Sequence, residues 1–149
     1  MENLWSLKAS EISKLYLSNE ISLDEIISSV EERFNQVNPK INAIPESTFE
    51  YARKQAKLLD DNKKNDKPLG CLAGVPVTVK INTDQTGFAS TNGLRLNKSL
   101  IAHKNSTVVD NLEKAGALII GRTNTPAFSI RWFTNNSLHG HTFNPHNKN

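Results

Sequence analysis

At 149 residues, with 37% hydrophobic and 22% charged residues, the chain has the size and balance of one globular domain with its own core. A single cysteine excludes an internal disulfide and fits a reducing compartment, and no apolar run approaches the ~20 residues that a membrane span requires. The net charge of +3 is split unevenly, nine basic against twelve acidic residues through Asp66 and nine against three beyond it, yet the basic residues are scattered singly, so no nucleic-acid partner is expected.

The amino terminus, Met1-Glu-Asn-Leu-Trp-Ser6, lacks the basic segment and apolar core of a signal peptide, so a cytoplasmic location is expected. Residues 1–66 are expected to be mainly helical. A short first helix from about Ser6 to Ser18 would turn Trp5, Ala9, Ile12, Leu15 and Tyr16 inward. Ser22-Leu-Asp-Glu25 is a capping box, opening a helix that carries Leu23, Ile26, Ile27, Val30, Phe34 and Val37 on one face. Asn38-Pro39 is expected to stop it. Ser47-Thr-Phe-Glu50 has the pattern of a second capping box, before a helix with Phe49, Ala52, Ala56 and Leu59 inside. These stripes are expected to be packing surfaces. The mixed-charge run Asp60–Lys67 is expected to be a solvated loop within one domain, with no boundary there.

Residues 67–149 have an α/β pattern. In Gly74-Val-Pro-Val-Thr-Val-Lys80 the β-branched residues predict a strand, with Lys80 near its carboxyl end and an irregular loop after it. In open α/β sheets ligands and chemistry collect at such strand ends. A lysine there either snorkels into water or, in a dry pocket, loses its proton and serves as a base. A long connection, about Ile81 to Lys104, contains Gly87 and Gly93. Asn105-Ser-Thr then opens a helix with Val108, Val109, Leu112 and Ala115 inward and Gly116 as its cap. The run Ala117-Leu-Ile-Ile-Gly121 predicts a strand buried on both faces. Thr125-Pro126 is a helix start, with proline at the first helical position. Thr134–Asn149 is expected to be loop, ending without a cap or closing strand, so that the fold is incomplete.

Familiar catalytic signatures are missing. His139 and His141 are two apart, but no acidic residue or cysteine lies nearby to complete a metal site. No Walker loop, Gly-x-Gly-x-x-Gly or Gly-x-Ser-x-Gly elbow occurs. No cofactor is therefore expected, and Cys71 is expected to be a buried, inert thiol. Trp132 and Phe133, after Arg131, are expected to belong to the core; the alternative is that Arg131-Trp132-Phe133 and the loop after Lys80 line a pocket.

Taken together, Pro68-Leu-Gly-Cys-Leu-Ala-Gly-Val-Pro-Val-Thr-Val-Lys80, Asn105-Ser-Thr-Val-Val-Asp110, Leu112-Glu-Lys-Ala-Gly-Ala-Leu-Ile-Ile-Gly-Arg-Thr-Asn124 and Leu138-His-Gly-His-Thr-Phe-Asn-Pro145 resemble the amidase signature family of amide hydrolases. That family includes the amidase subunit of glutamyl-tRNA amidotransferase. The amino-terminal Asn38-Pro-Lys-Ile-Asn-Ala43 fits as well. The resemblance implies an α/β fold: amino-terminal helices and the first strands of an α/β/α sheet, all part of a single domain. It also implies a Ser–Ser–Lys triad. In it a neutral lysine takes a proton through a serine in a cis peptide, and the nucleophilic serine attacks the amide carbonyl to form an acyl-enzyme. On this resemblance Lys80 is the catalytic lysine.

Two departures from the family pattern stand out. Ile81 occupies the position where the family usually carries aspartate. The glycine- and serine-rich segment that supplies both serines and the oxyanion donors should follow Asn144-Pro145, and it is not among the 149 residues; Ser99, Ser106, Ser129 and Ser137 lack its glycine context. The expected function is thus an amidase-family fragment that carries the base lysine and is inactive alone. The alternatives are half of a split amidase completed by a second chain, or a non-catalytic interaction module. The full-length family implies a small-molecule amide as substrate. The partners expected for this chain are a complementary carboxyl-terminal chain or copies of itself.

Overall fold

The computed structural model describes residues 3–147. In chain order the elements are α1 (Ala9–Leu17), α2 (Leu23–Ile41), β1 (Glu46–Ser47), α3 (Phe49–Lys64), β2 (Pro76–Lys80), α4 (Thr107–Lys114), β3 (Leu118–Thr123), β4 (Asn135–Asn136) and β5 (Gly140–His141). Single 3-10 turns lie at Leu4–Ser6, Arg95–Asn97 and Ala127–Ser129. One sheet has the order β1-β3-β2, and β4 and β5 form a separate hairpin. β1 runs antiparallel to β3, with Ser47 opposite Gly121 and Glu46 opposite Arg122. Leu118 N–H donates to Val75 C=O and Ile81 N–H to Thr123 C=O. Both strands ascend together between those bonds, so β2 and β3 are parallel. The α/β class holds.

The contacts divide the chain into two compact units. The first contains Met1–Asn35, Thr48–Val77 and Asn111–Ile120, the second Gln36–Ser47, Thr78–Asp110 and Gly121–Asn149.

The first unit holds a hydrophobic core. Ile12 and Tyr16 of α1, Leu23, Ile26 and Ile27 of α2, and Phe49, Ala52, Ala56 and Leu59 of α3 are buried together with Leu118 and Ile120 of β3. Burial of each large aliphatic side chain contributes about 2 kcal/mol, whereas isolated helices of this length are marginal in water. Docking therefore holds these helices more than propensity does. The Ser22 capping box forms as expected. Ser22 N–H donates to Glu25 Oε2 at 2.8 Å, and Glu25 N–H donates back to Ser22 Oγ at 3.2 Å. The Ser22 N–H bond, joined by one from the Ser22 hydroxyl to Glu25 Oε2 at 2.7 Å, holds the exposed Glu25 carboxyl below the usual carboxylate range.

Several local expectations are overturned. α2 does not stop at Asn38-Pro39 but runs to Ile41 with Pro39 inside it. The bond that Pro39 lacks would reach the exposed Asn35, where water can replace it. Asn42, at φ +49°, ends the helix instead. Ser47 does not cap α3, because it belongs to β1; the cap residue is Thr48, whose hydroxyl donates to Ile119 C=O at 2.8 Å. The expected loop from Asp60 is helical to Lys64. Lys63 and Lys64 favour the negative end of the helix dipole, and Tyr16 ties this turn down by donating to Asp60 and accepting from Lys63 Nζ.

Other side chains also face differently from expectation. Trp5, Ala9 and Val108 are exposed, and Val109 alone carries the fully buried apolar face of α4. Cys71 is exposed, not buried, because it opens a turn ahead of β2. Trp132 and Phe133 do not enter a core: they are 106% and 56% exposed, and Ile130 is 78% exposed.

The second unit is organised by backbone and polar bonds more than by apolar packing. The connection after β2 closes on itself through Gly87 N–H to Ala102 C=O, Ala102 N–H to Phe88 C=O and Ser90 N–H to Leu100 C=O. Thr125-Pro126 opens no α-helix. A 3-10 turn replaces it, with Phe128 and Ser129 at φ +56° and +58°. The final stretch is not all loop, since Asn135–Asn136 pairs antiparallel with Gly140–His141. The expected ending of the chain reaches Lys148–Asn149, outside the described residues.

Candidate functional site

Lys80 is the last residue of β2 and its side chain is exposed. Its Nζ has no hydrogen-bond or ion-pair partner among the described residues. Its backbone is tightly held nonetheless. Lys80 C=O accepts from Thr83 N–H at 2.8 Å, and the next residue, the fully buried Ile81, donates to Thr123 C=O at 3.0 Å. The expected strand-end position is observed. The dry surroundings that a base needs are not supplied around this side chain.

Around the strand end lies a network that sequence reasoning missed. Asn82 Nδ2 donates to Ser129 Oγ at 3.0 Å, and the Ser129 and Thr125 hydroxyls share a hydrogen bond at 2.6 Å. Ser129 also lies 3.4 Å from Asn92 Oδ1. The left-handed backbone at Phe128 and Ser129 costs about 1–3 kcal/mol per residue, and these hydroxyl contacts help to hold it. Two asparagines bind the rest together. Asn124 Nδ2 donates to Gly140 C=O and Thr142 Oγ1, while Asn136 Nδ2 donates to Asn124 Oδ1 and Thr125 C=O, both at 2.8 Å. Asn, Ser and Thr in a Gly-poor segment give no sequence pattern from which this pairing follows.

Arg122 is the other omission. It is fully buried at the end of β3. Its Nη1 donates to Glu46 Oε2 at 2.9 Å and Ala89 C=O at 2.7 Å; its Nη2 donates to Thr83 C=O at 2.9 Å and Ile81 C=O at 3.2 Å. Burial pushes this guanidinium below its usual range, and the Glu46 carboxylate opposes that. Its only sequence signal is a cation directly after a continuous apolar run.

Two of the four histidines make structural contacts. His139 Nε2 lies 2.9 Å from Thr91 Oγ1, and the His141 ring sits edge-on to Phe143. Burial lowers the pKa of His139. The unfolded chain therefore takes up the proton first as pH falls, so this group's contribution to stability is present above the ordinary histidine value of about 6.5 and is lost below it. Replacement by Gln should flatten the fall in stability between about pH 7 and 5, as measured by urea denaturation across that range. An unchanged slope would mean that His139 does not contribute.

No helix among the described residues is long and apolar enough to cross a membrane. Residues 25–149 match the Amidase family model. The chain is 42% identical over 142 residues to an indoleacetamide hydrolase of Bradyrhizobium diazoefficiens, a match covering 95% of this chain and 27% of that one. It is 37% identical over 143 residues to one subunit of the glutamyl-tRNA(Gln) amidotransferase of Fusobacterium nucleatum, covering 96% and 29%. A crystal structure of a bacterial aryl acylamidase of the amidase signature family superposes with a TM-score of 0.88 at 32% identity, covering 95% and 30%. The chain thus spans less than a third of the length of these relatives. With the helices and the parallel β2 and β3 in agreement, it belongs to the amidase family.

Proposed function

We propose that these residues are the lysine-bearing portion of a carboxamide hydrolase and have no activity alone. The observation that carries this reading is the position of Lys80: it ends a strand parallel to buried β3, before a loop fastened from inside, in a chain that matches amidases along most of its length. In the proposed reaction the Lys80 amine accepts a proton that leaves the nucleophilic serine by way of a second serine. The serine oxygen bonds to the amide carbon, the C–N bond breaks as the departing nitrogen is protonated, and water then releases the acid. The serines, the oxyanion donors and the cover that dries Lys80 come from polypeptide beyond these residues. Both compact units are parts of one domain in this reading, and the protein is cytoplasmic.

A split enzyme is a second reading, favoured by the exposure of Phe128, Ile130, Trp132 and Phe133 within six residues. An apolar cluster of that kind is suited to cover by another polypeptide. A direct test uses the part of the Bradyrhizobium hydrolase that the match leaves uncovered. The 149-residue chain alone should not hydrolyse small amides, and genetic fusion to that part should restore turnover. Restoration on simple mixing supports the split enzyme. Turnover by the isolated chain would refute the main reading.

A further inference from the structure

Arginine is rarely withdrawn completely from water, and a buried guanidinium needs its N–H groups matched. Arg122 has 0% exposure, and three of its four acceptors are backbone carbonyls of one stretch, residues 81–89. The fourth is the Glu46 carboxylate on β1, and Phe88 of the same stretch has its ring 5.7 Å from the guanidinium carbon. That stretch begins directly after Lys80. Its first residue, Ile81, has no polar side chain with which to anchor the loop, and its C=O is one of the groups that Arg122 holds.

We propose that Arg122 is a positioning residue for Lys80: the loop after β2 is wound around its guanidinium, which fixes the strand end from within the unit. The proposal rests on Lys80 being the base and adds the residue that holds it in place. The planar fork explains the choice of arginine: its two terminal nitrogens make all four of these bonds, while the buried Nε has no partner among the described residues. Carbonyls at 81, 83 and 89 approach two different nitrogens, so one group spans a loop that a single-point ammonium could grip at fewer places. Glu46 supplies the opposite charge that makes the buried cation tolerable.

The test compares Arg122→Met and Arg122→Lys. In the 149-residue chain, hydrogen exchange followed by mass spectrometry should show the peptide covering 81–89 losing protection by about tenfold or more in the Met variant, with α3 peptides unchanged. Lysine should recover part of that protection. In the fusion to the uncovered part of the Bradyrhizobium hydrolase, Arg122→Met should lower kcat about tenfold or more with little change in KM, since a displaced base costs rate more than binding. The rising limb of its pH profile should move to higher pH, and Arg122→Lys should move it part of the way back. Loss of protection in every peptide would make Arg122 a general structural residue and overturn the proposal, as would unchanged exchange in 81–89. If the Met variant does not fold, the Lys variant decides alone: partial loss confined to 81–89 supports the proposal, and parental exchange there overturns it. A parental fusion without amide turnover removes the reading of Lys80 as the base. Parental turnover with an unmoved profile in the variants overturns the role of Arg122 only.

Discussion

Gly70→Ala should destabilise the chain by about 3 kcal/mol, at the upper end of the range for overpacking. A Cβ at Gly70 would lie 2.3 Å from Cα, C and O of Ala115, all backbone atoms. A side chain would swing aside; a backbone does not. Relief requires the Cys71–Gly74 turn to part from the end of α4. That endangers the bonds from Leu72 N–H to Ala115 C=O at 2.8 Å and from Gly74 N–H to Gly116 C=O at 3.0 Å. Gly87→Ala is the control. It has φ +85° but nothing within 4 Å of the new methyl group, so its cost is conformational strain alone, about 1 kcal/mol. Denaturant midpoints should rank parent, Gly87→Ala and Gly70→Ala in falling order. Equal midpoints for the two variants would show that Gly70 is not chosen for close approach.

The helices were legible because their signals are local. The spacing of Leu23, Ile26 and Ile27, and of Phe49, Ala52, Ala56 and Leu59, places each set on one face, and all are buried. Strand β3 was legible from an unbroken apolar run, and the Ser22 box from residue types three apart. Two of the errors share a cause, which is tertiary bonding that overrides a local rule. Thr48 commits its hydroxyl to β3, so Ser47 is free to pair as a strand residue. Thr125 bonds Ser129 across the turn, and Phe128 N–H bonds Asn92 C=O, so Pro126 starts no α-helix. Pro39 is tolerated because its missing bond falls at the exposed residue Asn35.

At the site, the strand-end position of Lys80 followed from alternation and from the glycines and asparagines after it. Arg122 could not be read in the same way. Its acceptors at 81, 83 and 89 are backbone carbonyls, and any residue type offers a carbonyl. No spacing of side chains announces such a cage. The Asn124–Asn136 pairing is similarly silent, since both side chains bind backbone groups as well as each other.

A lysine is an effective base only where its surroundings favour the uncharged amine. Lys80 is exposed in this chain, so the proposed function requires that the remaining polypeptide of an amidase-length protein cover it. The expected consequence is all-or-none at this residue. A triad member acts as part of a unit, and its removal leaves only what binding and oxyanion stabilisation provide. Arg at position 80 should not substitute, because a guanidinium stays protonated and has no lone pair to accept the proton.

The decisive measurement is the initial rate of small-amide hydrolysis by the fused protein with Lys80 intact and with Lys80→Ala, matched for folded protein by circular dichroism. Lys80 as proton acceptor requires the alanine variant to lose about 10³-fold or more in kcat. A variant that retains a rate within a few fold of the parent would show that the amine at the end of β2 takes no part in the chemistry.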